Sequence, residues 1–339
     1  MTAVRGVASE SGADRKLPPG VVVEGPLVDA KFRDSYIAFG LMVGGSIAAL
    51  VWAFWQGIGW VEVSVFAGTF IMSTIGIGFM HRYFVHRSFR CGPLMRAILA
   101  AIATMAVQGS VLKWVSNHRR HHLHSDKPGD VHSPYYDGVG DPHPSFFKGM
   151  MYAQGGWVWD QATTDGEYYA RDILADPIAM FFTRTRWYWY ALSAVIIPGA
   201  IGYAFGGVHT MIGCILFAGL FRSYLMTMAT SLVNSVCHSD GRYGYRRYET
   251  HDGTTNELVT TILTFGEGLH NNHHRFPRDA YLSHAWYEID INGLIILGLG
   301  KLGLVHDIFV PDRAGGAGAV AGKTAIDGVG EDLGPSGAR

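Results

Sequence analysis

Long apolar segments that come in pairs constrain the fold of this chain more than any other feature of its sequence. A helix of about 20 apolar residues is long enough to cross a bilayer. Charged residues make up 16% of the chain, whereas they make up about a quarter of an average soluble domain. Four long segments fall into two pairs, each joined by a short turn: 35–55 with 57–80, and 187–205 with 208–236. We therefore predict an all-α integral membrane protein with four transmembrane helices in two hairpins.

The placement of Lys and Arg predicts which side of the membrane each part occupies. Basic residues precede the first segment and lie between the two hairpins, while the two short turns carry no Lys or Arg. Cytoplasmic loops are enriched in these residues, so we expect both termini to be cytoplasmic. We also expect three parts: a flexible leader over 1–34, a membrane domain over 35–310 and a disordered Gly/Ala-rich tail over 311–339.

Histidines cluster beside the apolar segments. The run His118-Arg119-Arg120-His121-His122 recurs as His270-Asn271-Asn272-His273-His274, and His81 and His86 form a related pair. Residues three and four apart share one helix face, whereas adjacent residues diverge by about 100°. The adjacent histidines of each run can therefore face two different metal ions. We predict a dinuclear metal site in a cytosolic helical cap. We call the pair and the two runs histidine boxes. The apolar run 93–115 lies between two boxes, and we expect it to dip into the membrane or lie along it.

The donor set narrows the chemistry of this site. Imidazole ligands without cysteine suit Fe, Cu, Ni or Zn. The three boxes offer eight histidines, and a structural zinc ion uses four ligands, so two ions are needed to use them. Cys91, Cys214 and Cys237 lack the spacing of a thiolate metal site. The formal net charge of -1 and the lack of a basic patch give no case for nucleic acid.

The boxes and their neighbours resemble the membrane-bound fatty acyl desaturases of the stearoyl-CoA (delta-9) type, especially the bacterial members. The resemblance covers roughly residues 35–310 and extends through Trp286-Tyr287-Glu288-Ile289-Asp290. The motifs that carry it are His81 to Phe89, His118 to His122, Gly129 to Pro134, Asn234 to His238 and Thr264 to His274.

The resemblance implies nine histidine ligands to two iron ions, with Asn234 holding a water at one of them. Eight of the nine belong to the boxes. The ninth, His238, comes from the family's Asn-Ser-x-x-His motif and not from the spacing of histidines. The implied ligands are His81, His86, His118, His121, His122, His238, His270, His273 and His274.

The resemblance also implies the reaction and its partners. O2 and two electrons would be used to introduce a cis double bond, near the delta-9 position, into a saturated C16 to C18 acyl chain. The implied substrate is an acyl thioester of CoA or of an acyl carrier, or an acyl lipid. The sequence has no His-Pro-Gly-Gly haem motif, so we expect a separate electron donor such as a ferredoxin, a cytochrome b5 or a reductase. We expect the bacterial inner membrane rather than the endoplasmic reticulum.

Residues around the boxes suggest three further roles. Polar groups near the ligands could accept the second imidazole N–H and orient the rings: Asn117, Asp126, Asp130, Asp240 and Glu267. An apolar tunnel between the spans would hold the acyl tail, with candidate lining residues Val65, Thr69 and Trp114, for which helix packing or interfacial anchoring is the alternative. Basic residues could meet phosphates of the acyl headgroup or of lipids: Arg82, Lys113, Arg119, Arg246 and Arg247.

Two other functions stay open. A fatty acyl hydroxylase or acetylenase could use the same scaffold, because substrate placement directs the same oxidant to a different outcome. A histidine-rich membrane metal transporter or sensor is a different class of protein. It would predict ionisable or coordinating residues within the spans, and residues 35–55 and 187–205 contain none that are charged.

Overall fold

The computed structural model describes residues 17–312. The first sixteen residues of the expected leader and residues 313–339 of the expected tail lie outside the described residues. Within the described range the chain is mostly helical. The α-helices are, in chain order, α1 (Pro26–Gln56), α2 (Trp60–Phe79), α3 (Pro93–Met105), α4 (Val111–His124), α5 (Phe146–Gln154), α6 (Gly166–Tyr169), α7 (Arg171–Leu174), α8 (Pro177–Ala191), α9 (Ile197–Cys214), α10 (Arg222–Ser235), α11 (Leu258–Leu263), α12 (His270–Arg275) and α13 (Ile291–Lys301).

The first helix begins earlier than the sequence indicated. α1 starts at Pro26, so residues 26–34 of the expected leader are helical. Proline suits the first helical position because its missing N–H would have no partner there, and Asp29 in the first turn complements the helix dipole. The buried Lys31 ammonium then fixes this end of α1, because it donates to the carbonyl oxygens of Trp157, Asp160 and Ala162 at 2.6–3.2 Å.

The second long helix leads directly into the first histidine pair. α2 begins after Gly59, whose N–H is accepted by the Glu62 carboxylate at 3.1 Å. It then passes without a break into a π-helical turn, Met80–Val85. π-turns inside helices are frequent at functional sites, because the extra residue changes the direction in which side chains point. Here the turn carries His81 and ends at His86.

Two glycines divide the long helical stretch Pro177–His238. Gly206 and Gly207 have non-helical backbone angles, and Gly207 has a φ of 67°. A Cβ atom on Gly202 would lie 2.6 Å from the Thr210 carbonyl oxygen, so the backbones on either side of the turn approach closely. The predicted break between residues 205 and 208 therefore coincides with a bend in the structure.

Two more π-helical turns, Leu192–Ile196 and Ile215–Phe221, meet on either side of this bend. The fully buried Arg222 guanidinium lies beside them and donates to Ser73 Oγ at 2.8 Å, to Ser193 Oγ at 3.0 Å and to the Ala218 carbonyl. Carbonyl groups freed by a π-turn need new partners in an apolar bundle. Arg222 supplies such donors and links three helical stretches.

The apolar run 93–115 is two helices rather than one. α3 ends at Met105, and α4 starts after Ser110, which caps it by accepting the Lys113 N–H at 3.2 Å. Positive φ values at Val107 (61°) and Gly109 (99°) turn the chain between them. α4 therefore carries the second histidine box back toward the end of α2.

A small antiparallel sheet and three long stretches complete the described structure. β1 (Val21–Val22) pairs with β2 (Thr163–Thr164), with Val21 opposite Thr164. Three continuous helical stretches are long and apolar enough to cross a membrane: Pro26–Gln56, Trp60–Val85 and Pro177–His238.

Candidate metal centre

Four separate parts of the chain bring the predicted histidines to one place. They are the π-turn after α2, helix α4, the 3₁₀ turn Val236–His238 after α10, and helix α12. Each is a helix end or a short helix. Their nine histidines form two groups whose candidate donor atoms lie within 4.8 Å of one another: His81, His86, His118, His122 and His273, and separately His121, His238, His270 and His274.

The imidazoles converge through their Nε2 atoms. The Nε2 atom of His273 lies 3.0 Å from that of His81 and 2.9 Å from that of His122, and His238 and His270 approach each other at 3.0 Å. Two nitrogens that bind one ion at about 2.1 Å and at right angles lie about 3.0 Å apart. The spacing of the rings thus suits a metal ion between them.

One pair of rings shows why a cation fits between the imidazoles. The Nδ1–H of His121 donates to Asp130 at 2.9 Å, and that of His274 donates to Asp252 at 2.7 Å. A neutral imidazole has one N–H and one lone pair, so the two Nε2 atoms, 3.3 Å apart, face each other with lone pairs. Only a bound cation or an added proton relieves that repulsion, and the donor set therefore fits a metal.

The surroundings keep six of the nine rings neutral. Burial, followed by the neighbouring imidazoles, lowers the pKa values of His118, His121, His122, His270 and His273 well below the usual value for histidine. Burial also lowers the pKa of His86, whose Nε2 atom is buried and has no hydrogen-bond partner within residues 17–312. Neutral imidazoles are the form that binds metal ions.

Carboxylates orient four of the rings. Three of the five predicted polar groups accept an imidazole N–H: Glu267 from His81 at 2.5 Å, Asp130 from His121 at 2.9 Å and Asp126 from His238 at 2.9 Å. The prediction for Asp240 was wrong, because its side chain is 72% exposed and faces Arg246. Asn117 lines a cavity beside His118, and no hydrogen bond joins it to an imidazole of the described residues.

Sequence reasoning missed two residues of this site. Asp252, which accepts from His274, lies in a loop outside every motif that we used, and only its position 14 residues after His238 hints at its role. Hydrogen bonds from Ser125 and Thr254 fix its carboxylate. His132 is buried, with its ring 4.5 Å from that of His121. It belongs to the run Gly129 to Pro134, which carried part of the resemblance without receiving a role.

Two arginines that we predicted to meet a headgroup are internal instead. Arg82 is 1% exposed and forms ion pairs with Glu267 and Asp290. Arg119 is 7% exposed, and its guanidinium binds both oxygens of Asp172 at 2.6 and 2.9 Å. A buried guanidinium with carboxylate partners cannot also reach a substrate phosphate. The prediction for both arginines was therefore wrong.

The other predicted headgroup residues differ from one another. Arg246 stabilises its own loop by donating hydrogen bonds to the carbonyls of Asp252 and Thr254. Arg247 pairs with Glu288 at 3.0 Å and keeps a side chain that is 24% exposed. Lys113 lines the cavity that reaches the histidines.

That cavity connects the membrane bundle with the histidines. Trp114 lines it and stacks on His118 with a ring separation of 4.9 Å. Asn234, Gln154 and His132 line it as well. Gln154 accepts from Ser235 Oγ at 2.7 Å and donates to the Met228 carbonyl, and so fixes the end of α10 next to Asn234.

The predicted tunnel floor lies elsewhere. Val65 and Thr69 line a separate groove between α2 and α9, together with Trp60 and Phe205. Thr69 Oγ1 donates to the Ala218 carbonyl at 2.9 Å, so it packs α2 against the π-turn Ile215–Phe221. The proposal that these two residues form the floor of an acyl tunnel stays a prediction, and the contact of Thr69 with Ala218 fits the packing alternative.

Comparison with known proteins agrees with this geometry. A sequence profile of the fatty acid desaturase family matches residues 58–291, which include all nine histidines. The chain belongs to the fatty acid desaturase family. It is therefore an oxidoreductase of a family that acts on acyl lipids or acyl thioesters, which confirms the resemblance stated above.

Curated relatives in this family act on different acyl substrates. The chain is 34% identical over 272 residues to a hex-5-enoyl-[acyl-carrier protein] acetylenase of Moorena producens, covering 79% of this chain and 83% of the relative. It is 32% identical to an sn-1 stearoyl-lipid 9-desaturase of Anabaena variabilis, covering 70% and 79%. It is 31% identical to an icosanoyl-CoA 5-desaturase of Limnanthes douglasii, covering 83% and 74%.

Proposed function

We propose that this protein is an O2-dependent acyl desaturase that introduces a cis double bond, near the delta-9 position, into a saturated C16 to C18 chain. The observation that carries the proposal is the convergence of nine imidazoles beside a cavity that leads into an apolar bundle. The delta-9 position follows the two cyanobacterial stearoyl-lipid 9-desaturases, which are 32% and 33% identical to the chain.

We infer two iron ions as the cofactor. The five-histidine group and the four-histidine group would each hold one ion, and Asn234 would hold a water at one of them. Bound iron supplies the oxidation of an unactivated C–H bond with O2, which side-chain acid–base chemistry cannot perform. The chain's own contribution is to orient the rings, exclude water and hold the acyl chain in one position.

The proposed topology has four membrane crossings. The bend at Gly206 and Gly207 would divide the third long stretch into two of them, and the short turns without Lys or Arg would face away from the cytosol. The metal centre and both termini would then be cytoplasmic, in a bacterial inner membrane. Lipids would surround the domain 35–310, and the leader and tail would lie outside it.

The proposed partners follow from the reaction. Desaturation needs two electrons from outside the substrate, so a separate donor such as a ferredoxin, a cytochrome b5 or a reductase must deliver them. The acyl carrier is CoA, an acyl carrier protein or a lipid, since the relatives' names include all three.

An acetylenase is the second candidate. The relative from Moorena producens, an acetylenase, shares 34% identity over most of both chains. An acetylenase removes hydrogen from a chain that already has a double bond, and the same metal centre and cavity would serve it. A hydroxylase on this scaffold would place oxygen on the chain instead.

The transporter or sensor alternative has ionisable residues inside the predicted spans in its favour, among them Glu62, which accepts the Gly59 N–H. Arg222 is an ionisable residue inside the predicted span 208–236. Its guanidinium, however, is fixed by Ser73, Ser193 and the Ala218 carbonyl, and it does not line the cavity that reaches the histidines. Such an arrangement suits packing rather than ion passage.

Expression with a matched reductase, in cells that lack their own desaturase, tests the proposed function. Fatty acids would be analysed by mass spectrometry with localisation of double bonds. We expect new monounsaturated C16 and C18 acids. Triple bonds formed from supplied monounsaturated acids would favour the acetylenase, and hydroxylated acids would contradict desaturation. No oxidation by an iron-loaded, reducible protein would favour the transporter or sensor.

A further inference from the structure

Three charged residues line the cavity that leads to His118. They are Asp34 on α1, Lys113 on α4 and Arg186 on α8. The side chains of Asp34 and Arg186 are 23% and 20% exposed, so this part of the cavity is near its opening. Two cations and one anion leave a formal charge of +1 on the cavity wall.

Ion pairing among these three residues neutralises one of the two cations. Arg186 forms an ion pair with one oxygen of Asp34, and the other oxygen accepts from Arg33 at 3.2 Å. No hydrogen bond or ion pair joins the Lys113 ammonium to any residue in the described range 17–312. The surplus positive charge of the cavity is therefore that of Lys113.

Lys31 shows what a lysine in this region does when its role is structural. Its ammonium donates to three carbonyl oxygens within 3.2 Å and joins α1 to the cap. Within the described part of the chain, Lys113 has no such partners. A partly desolvated ammonium without hydrogen bonds is costly, which makes an oxygen acceptor in the cavity the natural partner for Lys113.

We propose that Lys113 binds the C1 oxygen of the acyl substrate, which is the carbonyl of its thioester or ester. This inference rests on the proposed function and adds the anchor of the substrate. One positive charge suits a carbonyl or a single carboxylate. A phosphate dianion would bring excess negative charge beside Asp34, so the structure favours the acyl oxygen over a headgroup phosphate for this residue.

The position of Lys113 on α4 links this anchor to the metal centre. Lys113 precedes His118 by five positions, which corresponds to about 7.5 Å along a helix. Trp114 lies between them and stacks on His118. An acyl chain held at Lys113 would pass this ring before it reaches the imidazoles, so several methylenes would separate C1 from the oxidised carbons. The protein would thus select a carbon by counting from C1.

A binding experiment on the metal-free protein tests the anchor without catalysis. Three tryptophans, Trp114, Trp157 and Trp187, line the cavity, so 9,10-dibromostearate that binds there quenches tryptophan fluorescence. We expect Lys113→Met to weaken this binding about tenfold, because a charge-assisted hydrogen bond is lost, and Lys113→Arg to stay within about threefold of wild type. The exposed Lys148, changed to Met, is the matched control and should bind as wild type does. Unchanged binding by Lys113→Met, or equal loss in the Met and Arg variants, would overturn the proposal.

The position of the double bond in the product tests whether the protein selects a carbon by its distance from C1. Wild-type enzyme supplied with C14, C16 and C18 saturated chains should place the double bond at a constant distance from C1, and Lys113→Met should spread it over neighbouring positions. A constant distance from the methyl end in wild type would overturn the proposal. If the protein oxidises no acyl chain but its binding of dibromostearate still depends on Lys113, the proposed function fails and the anchor stands.

Discussion

The two groups of histidines in the metal centre are supported in different ways. In the four-histidine group, carboxylates accept the Nδ1–H of three rings: Asp130, Asp126 and Asp252. In the five-histidine group, within residues 17–312, His81 alone has such a partner, which is Glu267. Arg119 supports this group instead, because it donates to the Phe84 and Val85 carbonyls of the turn that carries His81 and His86.

This difference predicts that the two histidine groups bind their ions with different affinities. A carboxylate on the second nitrogen of a ligand fixes the ring and makes it more basic. The four-histidine group should therefore hold its ion more tightly. An arginine that holds only the backbone positions the ligands without strengthening them, so an ion in the five-histidine group should exchange more readily. This group also contains His118, which lines the cavity between α1, α4 and α8.

Removal of one ligand from each group should have the largest effect. His121→Ala leaves three imidazoles in its group, whereas His86→Ala leaves four. We expect both variants to lose all product, and we expect the iron content of the purified protein to fall further in His121→Ala, because this variant removes one of four imidazoles rather than one of five. Retained turnover in His121→Ala would contradict its role as a ligand, and equal iron loss in both variants would remove the asymmetry.

Removal of a supporting carboxylate should have a smaller effect. Asp252→Asn keeps the shape of the side chain but loses the charge that orients His274. The loss of such a partner typically costs 10- to 100-fold in metal affinity. We expect that range for one of the two ions in a competition titration with a chelator. If both ions weaken alike, Asp252 stabilises the whole cap rather than one half of the centre.

Removal of the Asp172 carboxylate, which pairs with Arg119, should change the stability of the fold more than the metal affinity. Burial acts to raise the pKa of Asp172, but hydrogen bonds and charge from Arg119 and Arg87 lower it below the usual range. The stability that ionised Asp172 contributes is therefore present above its unfolded pKa, near 3.8, and is lost as the pH falls below that value.

We accordingly expect Asp172→Asn to lower the free energy of unfolding by about 1 kcal/mol near pH 7, with little change in iron affinity. Thermal unfolding of the metal-free protein in detergent, repeated at acidic pH, measures this. The difference from wild type should shrink as the pH falls. A difference that does not depend on pH would mean that the ion pair contributes nothing.

The smallest effect should come from Asp240. This carboxylate follows His238 closely in sequence, yet its side chain is 72% exposed. Asp240→Asn should match wild type in iron content and in product formation. It serves as the control for Asp252→Asn, because both residues belong to the loop after His238. Iron loss in Asp240→Asn would show that loop charge, rather than contact with an imidazole, supports the metal.

The helices were predictable because their signal is local. Apolar length indicates long helices at 35–55 and 57–80, and the glycine pair 206–207 indicates the bend. The start of α1 at Pro26 was not predictable from hydropathy, since its first turns are polar and are held by Lys31 through contacts with residues more than 120 positions away. The division of 93–115 into α3 and α4 depends on positive φ values at Val107 and Gly109, and a non-glycine residue such as Val107 gives no sign of it.

The site was predictable where a motif repeats and not where it depends on tertiary contact. The boxes follow from spacing, and the structure gathers all of them with His238. Whether a charged residue beside a box faces the rings, the interior or solvent depends on the fold. Asp240, Arg82 and Arg119 were therefore misjudged, and Asp252 was missed. Lys113 was included among the headgroup residues, but only the cavity revealed that its ammonium has no partner within the described residues.

Titration of the metal-free protein with Fe²⁺ under anaerobic conditions, in competition with a chelator, tests the central claim most directly. The account predicts two iron ions per chain that bind in two steps of different affinity. Asp252→Asn should weaken the tighter step alone. Saturation at one ion per chain, or two identical steps that Asp252→Asn leaves unchanged, would contradict a dinuclear centre built from two unlike halves.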